Sequence, residues 1–326
     1  MSESSTRIAA LLTETTHRTQ YAAIDPTNPL NSAVGKTVVV SGGTTGIGYA
    51  IARAFAQAEA ANVVLIARRQ EALDEGSASL RAELAQAGLN ADVWTYLLDI
   101  RDAARAEVVF EEIRKRLSAD GQARDADILV TSAARGDQGQ STLEFDPQTL
   151  RDGYETNVLG NLNLVRAFLR PEIPAIPLAP LVGPVKDTAG VQAPNRQKII
   201  LDVSSIASYL KFPGHAAYGP TKLAFTQTMQ YLQAEVNQLP GSPVRIHSFH
   251  PGVILSPGSR NLGFTEDFGA WDDESLPGGF AVWLASPAAE FLKGRFVCAN
   301  WDVDRLLANK QVFQEDPELC QYVLKF

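Results

Sequence analysis

The chain has 326 residues, of which 45% are hydrophobic and 20% charged, and its formal net charge at pH 7 is −8. This is the composition of a globular protein that is long enough for one large α/β domain or two small ones. The acidic balance argues against a broad basic face, so we expect neither nucleic acid nor a membrane as a partner.

Cysteine and histidine usage excludes two further kinds of protein. The two cysteines, Cys298 and Cys320, are too few for a disulfide framework and favour a reducing compartment. The four histidines are scattered without zinc-ligand spacing, so we expect no metal. The apolar stretch at 8–12 is too short for a signal-peptide core, and no run reaches membrane-spanning length. We therefore expect a cytoplasmic protein.

A polar N-terminal extension, residues 1–34, comes first, and its prolines and asparagines indicate an extended arm. In the domain at 35–326, β-branched apolar runs alternate with runs of helical periodicity. The strand-like runs lie at 36–43, 62–69, 91–100, 126–134, 196–205 and 244–254, and the helix-like runs at 46–60, 71–88, 103–120, 147–169 and 218–238. This alternation predicts a single α/β domain with a Rossmann-type, doubly wound parallel sheet flanked by helices on both faces.

Two segments interrupt the alternation. Residues 170–197 carry six prolines and are read as a proline-rich insertion, which we expect away from the catalytic residues and at a subunit contact. Residues 257–279 are rich in glycine, proline and acids, with the aromatic residues Phe264, Phe268 and Trp271 between them. They are predicted to form a lid over a substrate pocket, although a variable surface loop fits their composition equally well.

A glycine-rich turn, SGGTTGIG, follows the first strand and precedes a helix. Its glycines, Gly42, Gly46 and Gly48, let the backbone turn tightly and approach a pyrophosphate, which the N–H groups of the helix N-terminus then face. A plain tight turn would also use glycine, but the strand–turn–helix context favours a nucleotide site. The turn is not a P-loop, because it lacks the G-K-[ST] ending.

The end of the second strand indicates which dinucleotide is bound. In such folds an acid at this position binds the ribose 2′-hydroxyl and repels a 2′-phosphate. Here Ala67 is neutral and two arginines, Arg68 and Arg69, follow it. A guanidinium suits a phosphate, so the pattern favours NADP(H) over NAD(H), unless the arginines are merely exposed at the strand end.

A tyrosine and a lysine share one helix face in AYGPTKLAF. Tyr218 precedes Lys222 by four residues, Ser205 ends the fifth strand thirteen residues before Tyr218, and Asn157 lies on the fourth helix. A free tyrosine has a pKa of about 10, and a lysine ammonium one turn away favours its phenolate form. Tyr218 can then act as general acid or base at a carbonyl oxygen, to which the Ser205 hydroxyl donates a hydrogen bond.

Together these motifs resemble the short-chain dehydrogenase/reductase family. Its glycine motif T-G-x-x-x-G-x-G matches SGGTTGIG, with Ser41 in place of the threonine, and its Y-x-x-x-K motif matches YGPTK. The family's strand-end serine, helix asparagine and proline-glycine pair match Ser205, Asn157 and Pro251 with its glycine. The resemblance covers roughly residues 35–300, and the order and spacing of five motifs agree.

The resemblance implies further roles. Asn157 would help hold a water in a proton relay to Lys222, which would also bind the nicotinamide ribose, and Asp99 would contact the adenine. Backbone around Ile254 and the Ser256 hydroxyl would anchor the carboxamide and the diphosphate. The cofactor-binding positions implied in full are Gly42, Thr44, Thr45, Gly46, Ile47, Gly48, Arg68, Arg69, Asp99, Ile100, Ala133, Tyr218, Lys222, Pro251, Ile254 and Ser256.

The chain also departs from the family's pattern. TSAA, Thr131 to Ala134, stands where N-N-A-G is usual, which puts the stabilising contact of those asparagines in doubt. The C-terminal part resembles a branch of the family found in fungal metabolism. The family commonly pairs through two long helices, here around 147–169 and 217–237, which implies a homodimer or homotetramer.

Two histidines lie near these motifs. His250, in FHPGV, is expected to pack near the pocket floor, whereas His215, in KFPGHAAY, is a candidate to face substrate. For His215, too, an ordinary packed residue is the favoured interpretation.

The leading hypothesis is an NADPH-dependent oxidoreductase that reduces a ketone or aldehyde to an alcohol, or runs the reverse reaction. Its catalytic residues would be Asn157, Ser205, Tyr218 and Lys222, and its substrate a small carbonyl compound, apolar or aromatic. The alternatives are an NADP(H)-binding protein with a non-redox step, such as isomerisation or dehydration, and a scaffold or sensor without turnover.

Overall fold

The computed structural model describes residues 14–137, 139–170 and 196–321. Within these ranges seven parallel strands form one sheet, ordered β3-β2-β1-β4-β5-β6-β7. They are β1 Thr37–Ser41, β2 Asn62–Ala67, β3 Asp92–Leu97, β4 Ile128–Thr131, β5 Lys198–Val203, β6 Val244–His250 and β7 Phe296–Cys298. The order reverses between β1 and β4, where such sheets open a ligand crevice at their carboxyl edge. The predicted Rossmann-type fold is confirmed.

Helices cover both faces of the sheet. They are α1 Gly46–Gln57, α2 Gln70–Ala87, α3 Ala103–Leu117, α4 Pro147–Tyr154, α5 Asn161–Leu169, α6 Gly219–Val236, α7 Pro257–Asn261, α8 Ser275–Ala285, α9 Val303–Ala308 and α10 Lys310–Glu315. A π-helical stretch, Glu155–Gly160, joins α4 to α5. Short 3-10 turns occur at Ala22–Ile24, Pro29–Asn31, Ile206–Ser208, Glu266–Phe268 and Pro287–Leu292.

Two apolar layers enclose the sheet. One layer contains Phe55 of α1 and Phe280 of α8, and the other contains Phe110 of α3 and Phe168 of α5. Because both faces are covered, the central strands are buried along their whole length, as the continuous run at Val38–Val40 requires. The layers leave the carboxyl edge of the sheet as the face where polar loops gather.

Several elements lie outside the predicted pattern, among them β7 and α8. The strand β7 has three residues, which is too short for a period-two pattern to be visible. The helix α8 is buried from Leu276 to Leu284, so apolar residues surround it on all sides and it shows no helical periodicity. Its first residues, 275–279, belong to the segment that was predicted to form a lid.

The N-terminal arm packs on the C-terminal part of the domain. Of residues 1–34, the structure describes 14–34. Ile24 is fully buried, and a Cβ on Gly279 of α8 would lie 2.4 Å from the Ile24 carbonyl oxygen. The composition of the arm predicted only an extended segment leading into the domain. The structure shows that the arm also contributes to the core. Of the proline-rich insertion at 170–197, residues 171–195 lie outside the described residues.

Candidate active site

Backbone contacts close the glycine-rich turn between β1 and α1. Gly42 and Gly46 have φ angles of +65° and +54°, a region that favours glycine. A Cβ on Gly48 would lie 2.3 Å from the Gly42 carbonyl oxygen, and one on Gly42 would lie 3.1 Å from Cα of Ala133. Side chains are thus excluded, and a ligand meets the backbone and the first N–H groups of α1.

The residues between these glycines leave the start of α1 open. Thr44 is buried, because Gly76 of α2 packs on it. Thr45 is the exposed residue that precedes α1, and its side chain makes no capping hydrogen bond. Ile47 is half-buried in the first helical turn. The helix dipole at such an end favours an anion, so the turn fits the diphosphate of a dinucleotide.

The loop after β6 approaches the same turn. A Cβ on Gly46 would lie 3.0 Å from Cβ of Ser256. The Ser256 hydroxyl accepts a hydrogen bond from the Ser259 N–H at 3.1 Å and so caps α7. Pro251 and Ile254 are buried below it. The glycine turn and this loop therefore form two facing walls, as a dinucleotide site requires.

Charged side chains gather beyond the ends of β2 and β3. Arg68 and Arg69 are exposed. Asp99 accepts a charge-assisted hydrogen bond from Arg101 at 2.6 Å. This contact holds the pKa of the Asp99 carboxyl below its ordinary value, and the charge of Arg68 adds to the effect. Ile100 is buried, where a Cβ on a glycine of the π-helical stretch would touch it.

A serine on β1 supports the TSAA loop. The Ser41 hydroxyl donates to the Val130 carbonyl at 3.3 Å and accepts from the N–H groups of Ser132 and Ala133 at 3.1 and 3.2 Å. The Asn161 amide donates to the Ala133 carbonyl at 3.2 Å. These bonds hold the loop against the glycine turn, although the family's asparagines are missing. From the sequence, Ser41 was visible only as a departure from the family's motif. Its hydrogen bonds to the β4 loop were not predicted.

The proposed catalytic side chains meet where β5 ends and α6 begins. Tyr218 directly precedes α6 and is partly exposed, whereas Lys222 is buried. The Lys222 ammonium donates to the Val203 carbonyl at 2.7 Å and lies 5.9 Å from the centroid of the Tyr218 ring. The Ser205 hydroxyl oxygen accepts from the Ala207 N–H at 3.2 Å, which leaves its proton for another acceptor.

A buried carboxylate lies beneath this lysine. Asp202 of β5 accepts a hydrogen bond from the Thr226 hydroxyl at 2.8 Å, and Thr226 contacts the Ser204 hydroxyl at 2.6 Å. Burial raises the pKa of the Asp202 carboxyl, and the charge of Lys222 opposes that rise. The charge of Lys222 therefore favours the ionised form of Asp202, against the effect of burial. The only sequence signal for this was an acid within an apolar strand.

Asn157 connects the β4 loop to α6. Its carbonyl accepts from the Arg135 N–H at 2.7 Å, and its amide donates to the Arg135 carbonyl and the Thr221 hydroxyl, each at 2.9 Å. Both amide protons are thus used next to Lys222. The residue lies in the π-helical stretch, a distortion frequent at functional sites. Its part in a water relay stays a prediction.

The two histidines have different surroundings. His250 accepts a hydrogen bond from the Ile206 N–H at 3.2 Å, and burial lowers its pKa to about 4, so the ring is neutral and packed, as expected. His215 keeps 30% of its side chain exposed and contacts Asp137 at 2.7 Å. The 78 residues between these partners explain why their pairing was not predicted from the sequence.

Aromatic side chains cluster in the 257–279 segment. The ring centroid of Phe264 lies 4.7 Å from that of Phe268 and 6.1 Å from that of Trp271. Phe268 remains 70% exposed. Leu262 reaches the β4 loop, where a Cβ on Gly136 would lie 2.7 Å from it. The segment, which starts after the β6 loop, thus also contacts the β4 loop.

A buried carboxylate anchors the end of that segment. Asp272 accepts hydrogen bonds from the Val253 N–H at 2.8 Å, from the Asn300 amide at 3.0 Å and from Arg18 of the N-terminal arm at 2.9 Å. The arm therefore helps to position the backbone next to Pro251 and its glycine.

Two further features bear on function. Within 14–137, 139–170 and 196–321, no group of three or more histidine, cysteine, aspartate or glutamate side chains could hold a metal ion. Among the helices in the same ranges, none is both long enough and apolar enough to cross a membrane. Cys298 and Cys320 are free thiols whose pKa values burial raises to about 12.

Comparison with known proteins agrees with this geometry. A family model described as short chain dehydrogenase matches residues 36–174. The short chain dehydrogenase/reductase nsrO of Aspergillus novofumigatus is 33% identical over 86% of each chain. AacuD of Aspergillus aculeatus, which carries the same description, is 32% identical over 93% of each chain. These relatives are fungal, in agreement with the resemblance stated for the C-terminal part.

Solved structures share the fold at lower identity. A short chain dehydrogenase from Pseudomonas syringae superposes with a TM-score of 0.65 at 21% identity and covers 86% of this chain and 99% of its own. RhlG of Pseudomonas aeruginosa, described as an NADP active-site complex, gives a TM-score of 0.64 at 20% identity and covers 84% and 98% of the two chains.

Proposed function

Because the chain belongs to the short-chain dehydrogenase/reductase family of oxidoreductases, we propose that it interconverts a ketone or aldehyde and an alcohol with NADP(H). The observation that carries the proposal is the placement of Lys222, buried and 5.9 Å from the centroid of the Tyr218 ring, with Ser205 on the adjoining loop.

In this proposal the hydride is the chemistry that a bound nicotinamide would supply. Tyr218 donates its phenolic proton to the carbonyl oxygen during reduction and takes it back during oxidation. Lys222, oriented by the Val203 carbonyl, keeps a positive charge beside the phenolate that this step leaves. Ser205 donates its free proton to the substrate oxygen as negative charge develops there. Asn157 positions Lys222 through Thr221.

NADP(H) is proposed over NAD(H) because β2 ends on the neutral Ala67, followed by Arg68 and Arg69, where an acid would bind the ribose 2′-hydroxyl and repel a 2′-phosphate. Arg68 also lies close enough to Asp99 to lower the pKa of its carboxyl, which supports a role for both residues at the proposed adenosine position. The structure of RhlG is described as an NADP complex, and the same cofactor is consistent with the glycine turn here.

We also propose an apolar or aromatic substrate, covered by the aromatic cluster of the 257–279 segment. The exposed Leu159 and Tyr231, which lie on the two helical stretches that the family uses for pairing, support a homodimer or homotetramer. The free thiols support a reducing, cytoplasmic location.

The decisive experiment is the Tyr218→Phe variant. With NADPH and a panel of aromatic ketones, kcat/KM should fall by about 100- to 10,000-fold, because general acid catalysis is lost. The dissociation constant of NADPH, measured by fluorescence titration, should stay within about threefold of the wild-type value. Tyr231→Phe, on the outer face of the same helix, is the matched control and should retain activity.

Two results would contradict the proposal. Unchanged turnover in Tyr218→Phe would exclude the mechanism. Tight NADPH binding by the wild type without oxidation by any carbonyl compound would favour the scaffold or sensor alternative.

A further inference from the structure

A second pair of ionisable side chains lies beside the proposed catalytic residues. Nδ1 of His215 and Oδ1 of Asp137 are 2.7 Å apart. Asp137 follows β4 and His215 follows β5, and these strands are neighbours in the sheet. The pair therefore stands at the carboxyl edge, where ligands bind in this kind of fold.

The carboxylate of the pair is buried and incompletely hydrogen-bonded. The Asp137 side chain is 6% exposed, and its Oδ2 receives no hydrogen bond from the described residues. A carboxylate oxygen accepts hydrogen bonds, so Nδ1 of His215 is the donor to Oδ1 of Asp137. This fixes the orientation of the imidazole and leaves Nε2 as the atom available to a ligand.

The backbone of His215 is hydrogen-bonded to that of Tyr218. The His215 carbonyl accepts from the Tyr218 N–H at 3.2 Å and from the Gly219 N–H at 2.9 Å, so His215 forms the turn that starts α6. On the other side, Leu262 contacts Gly136, the neighbour of Asp137. The pair thus lies between the 257–279 segment and the helix that carries Tyr218.

We propose that the Asp137–His215 pair recognises a second oxygen of the substrate, a phenolic or enolic hydroxyl carried by the same molecule as the reacting carbonyl. This inference rests on the proposed function and narrows its substrate class to hydroxyaryl or enolised ketones. His215 is the specificity-determining residue, and Asp137 is the positioning residue that orients it.

The hydrogen-bonding chemistry of Nε2 favours a phenolic or enolic hydroxyl as its ligand. A neutral imidazole accepts a hydrogen bond from a phenol or enol, and an imidazolium donates one to the phenolate or enolate. An oxygen with a labile proton therefore satisfies Nε2 in either protonation state. A methyl ether in the same place has no proton to offer, and its extra methyl group meets a partly buried ring. The pair should therefore discriminate against the ether.

The chain contains a matched control for this pair. His17 and Asp302 form a contact of 2.8 Å with similar side-chain exposure, 23% and 15%, on the N-terminal arm. That pair joins the N-terminal arm to the segment after β7, two strands away from β5 in the sheet. A pair that only ties segments together should affect stability alone, which is what we expect of His17.

The test is a binding measurement that does not depend on turnover. Calorimetric titration of the NADP⁺-saturated protein with the regioisomers of hydroxytetralone and with their methyl ethers gives the Kd ratio of each matched pair. For at least one regioisomer we expect the wild type to prefer the hydroxyl compound by about 10- to 100-fold, as for a hydrogen bond to a charge-supported group. His215→Gln should bring that ratio close to one, and His17→Gln should leave it unchanged.

Three outcomes would overturn the inference: no preference in the wild type, the wild-type preference retained in His215→Gln, or the same loss in His17→Gln. If His215→Gln does not fold, the ratio in Asp137→Asn decides, since an amide orients the imidazole less firmly and the preference should fall. Because the ligands need only bind, absent turnover would count against the proposed function without affecting this result.

Discussion

The two sides of the crevice are built in different ways. On the cofactor side, backbone meets backbone: a Cβ on Gly48 would lie 2.3 Å from Gly42, and one on Gly42 would lie 3.1 Å from Ala133. On the substrate side, side chains from separate loops meet, with Phe268 70% exposed. A backbone-built site tolerates almost no change of residue, whereas a side-chain-built site can be altered one residue at a time. The first should govern stability and cofactor binding, and the second selectivity.

The largest expected effect comes from adding one methyl group to the cofactor side. Gly48→Ala should lower the free energy of unfolding by about 3 kcal/mol or more, because the clashing atoms belong to the backbone. NADPH binding should be lost. Gly269→Ala is the control in the 257–279 segment, where the backbone is extended and the added Cβ has open space, so stability should change by less than about 0.5 kcal/mol. Chemical denaturation and NADPH titration measure both. Similar losses in the two variants would contradict the comparison.

The stability of the protein at acidic pH depends on a histidine that joins the substrate side to the sheet. His250 holds the Ile206 N–H and has a folded-state pKa of about 4, below the ordinary histidine value of about 6.5. The unfolded chain therefore binds the proton first, and stability is lost as the pH falls from about 6.5 toward 4.

Between pH 7 and 5 this should cost about 1 to 2 kcal/mol more in the wild type than in His250→Asn, whose amide oxygen can replace the ring nitrogen as acceptor. Urea denaturation at each pH gives the two slopes, and the buried His247 contributes equally to both proteins. Parallel slopes would show that His250 does not carry the acid sensitivity.

On the cofactor side, we expect side chains to determine one property, the preference for NADPH over NADH. Arg68→Ala should reduce the NADPH-over-NADH preference by about tenfold, or about 1.4 kcal/mol, through a higher Kd for NADPH alone. Arg114→Ala, on α3 and paired with Glu111, is the control and should leave the preference unchanged. An equal loss of NADPH and NADH affinity in Arg68→Ala would mean that the guanidinium does not read the 2′-phosphate.

The smallest effect is expected at the exposed aromatic cluster. Phe268→Ala should change the free energy of unfolding by less than about 0.5 kcal/mol, because the ring is mostly exposed. The KM for an aromatic ketone should rise about threefold as apolar contact is lost, with kcat and NADPH affinity retained. A large drop in Tm would assign this ring a structural role instead.

Sequence reasoning succeeded where local pattern determines structure. The alternating runs gave the sheet, and the spacing of Gly42, Gly46 and Gly48 marked a turn in which side chains are sterically excluded. The spacing of Tyr218 and Lys222 predicted that they lie close together, and the Lys222 ammonium lies 5.9 Å from the centroid of the Tyr218 ring. In each of these cases the partners lie within a few residues, or the constraint is a backbone property that one residue type reveals.

It failed where partners are distant in sequence. Asp137 and His215 are 78 residues apart, and Arg18 and Asp272 are 254 residues apart, so neither pairing leaves a periodic pattern. The helix α8 is buried all round and thus lacks the amphipathic period that reveals a helix.

The contacts of the N-terminal arm determine when it can dock during synthesis of the chain. His17 contacts Asp302 across 285 residues, and Arg18 supports Asp272 beside the β6 loop. A ribosome delivers the arm first and these partners near the end, so the arm cannot dock while the intervening strands are being made. Ile24, fully buried in the finished protein, has no docking surface during that interval. The nascent chain should therefore gain its complete crevice only after residues 272–302 have been made.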